Sequence, residues 1–368
     1  MVSKVFYIDL KANFRANFVK KLGILMEKCG LSTIIAERDL TAVKLHFGEK
    51  GNTAFIRPVF LRKIVKEIKA ASGVPFLTDA NTLYAGTRSD TPHHIITAIQ
   101  NGFAFSVVDA PVVIADGLRG KSEVAVSINK NRFKEVYIGA EIVAADALVS
   151  VAHFKGHELA GFGGTLKNLG MGCASRRGKM AQHSDLSPRV IQKKCIGCGE
   201  CVIHCSQHAI ILQDEKAKID SEKCIGCGEC IITCPQDAIQ IQWNASIPVF
   251  MEKMAEYTFG VLKGKEQKSL FINFITNVSP ACDCMPLNDA PIVRDIGVLA
   301  STDPVAIDQA SVDLVNKEPA LAGSCLKSNQ GPGEDKFKGI YPRVDWPLQL
   351  EYAENLGIGS RSYELEKL

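Results

Sequence analysis

Eight cysteines in two matched runs are the residues of this chain best suited to chemistry. The first run reads Cys195-Ile-Gly-Cys198-Gly-Glu-Cys201-Val-Ile-His-Cys205, and the second Cys224-Ile-Gly-Cys227-Gly-Glu-Cys230-Ile-Ile-Thr-Cys234-Pro235. Gaps of two, two and three residues suit an iron–sulfur cubane, which needs four thiolates converging on its irons. Three close cysteines supply one side, because the glycines at 197, 199, 226 and 228 let the backbone curl around it. The fourth comes from the other run, since in two-cluster arrangements the last cysteine of each run serves the opposite cluster. The spacing therefore predicts two 4Fe-4S clusters, one on Cys195, Cys198, Cys201 and Cys234, the other on Cys224, Cys227, Cys230 and Cys205. Zinc favours paired CxxC units with a longer gap. A disulfide lattice belongs to secreted chains, and this one shows no basic-then-apolar leader. Ser206 replaces the proline expected after the first run, which affects turn rigidity rather than ligation. The apolar stretches 209–212 and 238–241 are expected to be paired strands closing each half.

A second constellation precedes the cysteines: His153-Phe-Lys155-Gly-His157, then Gly161-Phe-Gly163-Gly164-Thr-Leu-Lys167-Asn168-Leu-Gly170. It follows a buried strand, where α/β sheets place ligand sites. The glycines would let backbone N–H groups approach an anionic ligand at a helix start. His153, Lys155, His157 and Lys167 are the candidate catalytic groups, and Gly163, Gly164, Lys167 and Asn168 the candidate cofactor cradle. The bland alternative is a solvated connection. Cys282-Asp-Cys284 would need His153 or His157 to complete a metal set, and is otherwise an ordinary loop. His46, His93, His94, Asp79 and Asp116 sit at strand or helix ends that could line the same cleft, although each alone is more often structural. Asp303 reads as a helix N-cap, and Cys29, Cys173 and Cys325 as isolated thiols. There is no Walker A loop and no strand-linked GxGxxG.

The elements that must hold these groups alternate strand and helix. Strands are expected at 4–9, 42–47, 75–79, 111–115 and 147–154, with helices at 58–71 and 93–101, and a hairpin over 123–138. After the cysteines the same grammar resumes: helix 249–262, strands 270–276 and 292–299, helix 304–316. The prediction is an α/β body with a largely parallel sheet, built from 1–188 and 246–368, with an inserted α+β ferredoxin-like unit at 189–245. Beyond Gly333 the tail is polar, with one short helix at 348–356. With 368 residues, 46% of them hydrophobic, the chain can bury a sizeable core. Its net charge of +3 is too weak to argue for nucleic acid. No apolar run reaches the roughly 18 residues of a membrane span. Free thiols and oxygen-labile clusters indicate a reducing cytoplasm, that of an anaerobe.

His153-x-Lys155-Gly-His157, Gly163-Gly-x-Leu-Lys167-Asn168 and Thr302-Asp303-Pro304-Val-Ala-Ile-Asp308 together resemble the domain-of-unknown-function 362 family of iron–sulfur-centre proteins, over roughly residues 3–325. The resemblance implies a cytoplasmic α/β domain joined to a two-cluster module, without fixing a reaction. More faintly, His157 and Gly163-Gly-x-x-Lys167 are similar to the glycine-rich loop of nickel-pincer lactate racemases, which implies that Lys167 and His157 face a ligand. The resulting expectation is a redox protein. A soluble donor or acceptor protein exchanges electrons with the clusters, and a small anionic substrate, or an additional anionic cofactor or metal, sits near 153–173. The alternatives are a non-enzymatic carrier, or a metal- or cofactor-handling protein using Cys282 and Cys284.

Overall fold

The computed structural model describes residues 2–184, 187–242 and 245–368. Eight strands form one sheet: β1 (Ser3–Asp9), β2 (Leu40–Lys44), β3 (Val74–Asp79), β4 (Val112–Ile114), β5 (Ala147–His153), β6 (Ser269–Ile275), β7 (Gly297–Ser301) and β8 (Tyr363–Lys367). Their order is β8-β1-β7-β6-β5-β2-β3-β4. Only β7 runs against its neighbours, and every other pairing in this sheet is parallel. The body is thus α/β with a mostly parallel sheet, drawn from chain on both sides of the cysteine runs. β5 and β6 are buried along their whole length. Near-continuous apolar runs such as theirs suit strands covered on both faces. Alternate residues feed two cores: Val149 and Ile272 pack with Leu22, Ile64 and Ile68 on one face, and Leu148 and Phe271 with Tyr257, Val305 and Ile307 on the other.

Two details depart from the sequence reading. β2 ends at Lys44 rather than 47, and β7 begins at Gly297 rather than 292. The polar tail also contributes β8, which pairs parallel with β1. Tyr363-Glu-Leu-Glu-Lys is an edge strand with a charged open face, so its apolar signal is weak.

From β2 the chain steps outward to β3 and β4, then returns to place β5 and β6 on the other side of β2. The order reverses between β2 and β5, and a crevice opens at the carboxyl ends of such strands. Beyond β5 a short hairpin (Lys155–His157 with Gly161–Gly163) leads into helix Thr165–Gly170. The first amides of this helix are not open to a ligand. Thr165 N and Leu166 N donate to the two carboxylate oxygens of Asp308, at 2.7 and 2.9 Å. Asn273 on β6 donates to the same Oδ1 (2.7 Å) and accepts from Thr165 Oγ1 (2.8 Å). Burial pushes the Asp308 carboxyl up to about 6, against these donors. A Cβ on Gly164 would stand 2.3 Å from Asp308 Oδ1, so glycine there allows the carboxylate to approach. Asp303 caps its helix as expected, its Oδ1 accepting from Val305 N and Ala306 N at 2.8 Å.

Within 187–242, Ile210–Gln213 pairs with Lys216–Ile219 and Ile239–Gln240 with Arg189–Val190. The two apolar stretches are therefore strands, but each pairs with a short basic segment that carries no strand signal of its own. The segment meets the body through Glu229, which is buried against Arg119 (3.1 Å), Lys121 (3.5 Å) and Arg176 (3.7 Å).

Asp308→Ala would leave the Thr165 and Leu166 amides buried without acceptors. Each stranded donor costs roughly 1–3 kcal/mol, so denaturant unfolding should show a loss of about 2 kcal/mol or more. A loss under about 1 kcal/mol, the net worth of one ordinary hydrogen bond, would mean that Asp308 does not anchor this helix.

Candidate functional site

The carboxyl ends of β2, β3 and β5 open on a cleft of about 730 Å³. Lys44, Lys50, Arg88, Lys155, Lys167 and Lys179 line it, against Glu49, Asp79 and Glu158. Lys44 Nζ lies 3.0 Å from Asp79 and 2.9 Å from Asn168 Oδ1. Arg88 Nε lies 3.2 Å from Glu49, and its Nη1 lies 3.5 Å from Asp79. Burial opposes ionisation of Asp79, but Lys44, His94 and Arg88 hold its carboxyl below the usual range. Burial pushes Lys179 down to about 8, although Asp116 and Asp79 resist. Burial, assisted by Cys282, pushes Glu158 up. His46, His157 and His183 also face the cleft. Burial and nearby cations push all three down, His183 to about 3, so they are neutral imidazoles at pH 7. The cations outnumber their partners, and low-dielectric walls concentrate that field on an entering anion. Phe250 supplies an apolar wall, with the His157 and His183 rings stacked on it at 6.2 and 5.0 Å between centroids.

Lys167 Nζ lies 3.2 Å from Cys282 Sγ. Cys284 N donates to Cys282 Sγ at 3.3 Å; the neighbouring Cys284 thiol, and then the positive charge of Lys167 and Lys155, hold Cys282 well below the usual thiol range. Cys284 is correspondingly raised, by its bond to Cys282 and by burial. Lys167 and Cys284 thus line one end of the cleft, with the lysine-paired Cys282 buried behind them and the more readily ionised of the two thiols. His157 accepts the Leu159 and Ala160 amides at Nδ1, both at 3.2 Å, which leaves Nε2 to carry the ring proton. Asn168 fixes Lys44 and donates to Ser150 Oγ at 2.9 Å.

The cleft gathers Lys155, His157, Lys167 and Asn168, as well as His46 and Asp79. It does not include His153, Gly163 or Gly164. His153 is buried behind the wall, with Nδ1 2.8 Å from Asp283 and Nε2 2.9 Å from Thr276 O. It positions Asp283 and has no ring nitrogen left for a ligand. The glycine cradle is corrected in the same way. Its helix amides serve Asp308, and Gly163 gives room to Lys167, whose Cδ would lie 3.0 Å from a Cβ there. With His153 committed to Asp283, Cys282 and Cys284 lose one of their two expected metal partners. Among the described residues no three His, Cys, Asp or Glu side chains converge to hold a single ion. Asp116 is buried behind the cleft, accepting from Asn81 N (2.9 Å), and His94 is buried 3.8 Å from Asp79. His93 is exposed, 2.8 Å from Asp90. Sequence reasoning missed Lys44, Arg88 and Lys179. Lys44, on a buried strand end, carried the one usable signal: a charge where the pattern calls for an apolar side chain.

The cysteine segment holds two smaller hollows. Cys195, Cys198, Cys201 and Cys234 line one, and Cys205, Cys224, Cys227 and Cys230 the other, so each hollow takes its fourth thiol from the opposite run. Backbone amides point at the sulfurs: Ala217 N to Cys195 (3.4 Å), Ala209 N to Cys205 (3.3 Å) and Ala238 N to Cys234 (3.2 Å). Gly197, Gly199, Gly226 and Gly228 all adopt φ near +70 to +82°, the left-handed turns that wrap the chain around each hollow. All thirteen cysteines are free thiols.

Lys167→Met would remove the ammonium that stabilises the Cys282 thiolate. The pH at which the Cys282–Cys284 pair becomes alkylatable by iodoacetamide, followed by peptide mass spectrometry, should then rise. An unchanged midpoint would show that Lys167 does not set this thiol's ionisation.

Comparison with known proteins adds a family and little else. One structure with a detectable likeness is that of the lactate racemase apoprotein from Thermoanaerobacterium thermosaccharolyticum, at 14% identity and a TM-score of 0.37, over 74% of this chain and 51% of that one. This chain spans about half the length of that protein, and so loose a likeness carries no argument. No curated protein matches. No helix among the described residues is long and apolar enough to cross a membrane. The profile of the family described as "Domain of unknown function (DUF362)" matches residues 41–313, about three quarters of the chain. The chain therefore belongs to the DUF362 family.

Proposed function

We propose that this protein is an iron–sulfur oxidoreductase in which two 4Fe-4S clusters, held by an inserted ferredoxin-like unit at 189–245, serve an anion-binding cleft in the α/β body. The observation that carries the reading is the grouping of four thiols, three from one run and one from the other, around each hollow. The residues fit the group: four sulfur ligands, amide donors aimed at sulfur, and tight left-handed turns. The clusters would supply one-electron steps. With four cysteines apiece they have no open position for bond chemistry, so a separate site must bind the substrate.

The cleft suits that role. Lys155, Lys167, Lys44 and Arg88 would hold a small anionic substrate or cofactor, and His157 holds a proton at Nε2 within reach of it. Phe250 and Leu159 would exclude water from its apolar part. A developed cleft of this kind favours an enzyme over a plain carrier. Metal exchange at Cys282 and Cys284 is the weaker reading, because the Lys167 ammonium already occupies the thiolate's side. The partner would be a soluble redox protein in an anaerobe's cytoplasm.

Anaerobically purified protein should contain about eight irons per chain. Cys205→Ser should remove or alter only the cluster of Cys224, Cys227 and Cys230, and Lys167→Ala should leave the iron content unchanged. Colourless, iron-free material, or a Cys205→Ser variant that instead loses the cluster of Cys195, Cys198 and Cys201, would contradict the assignment.

A further inference from the structure

The cleft and one of the two hollows share a wall a single side chain thick. Leu83 lines the cleft, and its Cδ1 would meet a Cβ on Gly228 at 2.8 Å. Gly228 lines the hollow of Cys205, Cys224, Cys227 and Cys230. Met180 completes the wall, its Cγ 3.3 Å from the corresponding position on Gly226, and packs with Leu83, Cys230 and Ile231. Its chain neighbour Lys179 lines the cleft. Arg176 ties the two sides together. Its buried guanidinium donates from Nε to Thr82 O (3.3 Å) and from Nη2 to Ser89 O, at either end of the cleft loop that carries Leu83 and Arg88. Its Nη1 lies 3.7 Å from Glu229, beside Cys230, and its charge acts on Cys227.

Among the described residues the other hollow has no such contact. Every residue lining it lies between 195 and 239, Cys198 is exposed, and Ile196 is 62% exposed. The two hollows are therefore not equivalent. One faces the cleft and the other faces solvent.

We propose that the cleft exchanges electrons only with the cluster on Cys205, Cys224, Cys227 and Cys230, across Leu83, with Arg176 as the positioning residue that raises that cluster's potential. The cluster on Cys195, Cys198, Cys201 and Cys234 faces the soluble one-electron partner. The inference rests on the two-cluster reading. Electron tunnelling falls steeply with distance, so the thin wall decides which cluster serves the cleft. The outer quartet would hold the cluster that exchanges single electrons with the partner, and the inner quartet the one that exchanges them with the occupant of the cleft, so each electron the partner gives up would be one the occupant gains, or the reverse. A buried cation beside a cluster favours its reduced, more negative form, so removing the cation lowers the potential of that cluster alone.

The test is an EPR-monitored potentiometric titration of the anaerobic holoprotein, with Cys198→Ser and Cys227→Ser variants identifying which signal belongs to which hollow. Arg176→Gln should lower the midpoint of the cleft-side cluster and leave the other in place, and Arg176→Lys should restore it. Should Arg176→Gln fail to fold, Glu229→Gln carries the converse test: Glu229 is buried and lines the same hollow, so removing its negative charge should raise the midpoint of the cleft-side cluster alone. An equal shift in both clusters, a shift in the solvent-side cluster alone, or no shift would overturn this inference while leaving the two clusters standing. Protein without iron would overturn the two-cluster reading itself.

Discussion

Burying several cations at one end of a sheet is tolerable only if each meets a compensating group, because an uncompensated buried charge costs several kcal/mol. This chain places Lys44, Arg88 and Lys155 at the carboxyl ends of β2, β3 and β5 or in the segments beyond them, and Lys167 on the helix Thr165–Gly170 that follows β5. It answers them with Asp79, Glu49, Asp283 and the Cys282 thiolate. The partners arrive from distant parts of the sequence, so the cleft exists only once the strand order is correct. For Lys179 and the three histidines burial moves the ionisation itself, downward in each case, so the histidines add no charge to the wall. The outcome is a wall with positive charge left over, which is what an anionic ligand needs.

Asp308 does the corresponding work for the backbone. Its carboxylate takes the first amides of helix Thr165–Gly170, and the helix in turn aims Lys167 at Cys282 and Asn168 at Lys44. The glycine-rich stretch is consequently a structural joint. Glycine is needed at 164 because a carboxylate, rather than a substrate, comes close to the backbone there.

That exchange of roles marks how far the sequence could be read. The alternation of strand and helix, the cap at Asp303, and the buried runs of β5 and β6 are local signals, and they gave a mostly parallel α/β body correctly. The cysteine spacing is also local, because two- and three-residue gaps constrain geometry directly. The role of a glycine, by contrast, depends on what lies opposite it, and nothing near position 164 announces a carboxylate from position 308. His153 was misplaced for the same reason: its partner Asp283 lies across β6. β8 escaped notice because an edge strand need bury only alternate residues, and those of Tyr363–Lys367 are only partly covered.

The account as a whole depends on the two thiol quartets being crossed between the runs and filled with iron. Diffraction data collected at the iron absorption edge from anaerobically grown crystals test this most directly. The account predicts two compact four-iron peaks, one among Cys195, Cys198, Cys201 and Cys234, the other among Cys205, Cys224, Cys227 and Cys230, the second lying against Leu83. Single-ion zinc peaks, disulfides in place of metal, or Cys205 bound with its own run's triplet would contradict it.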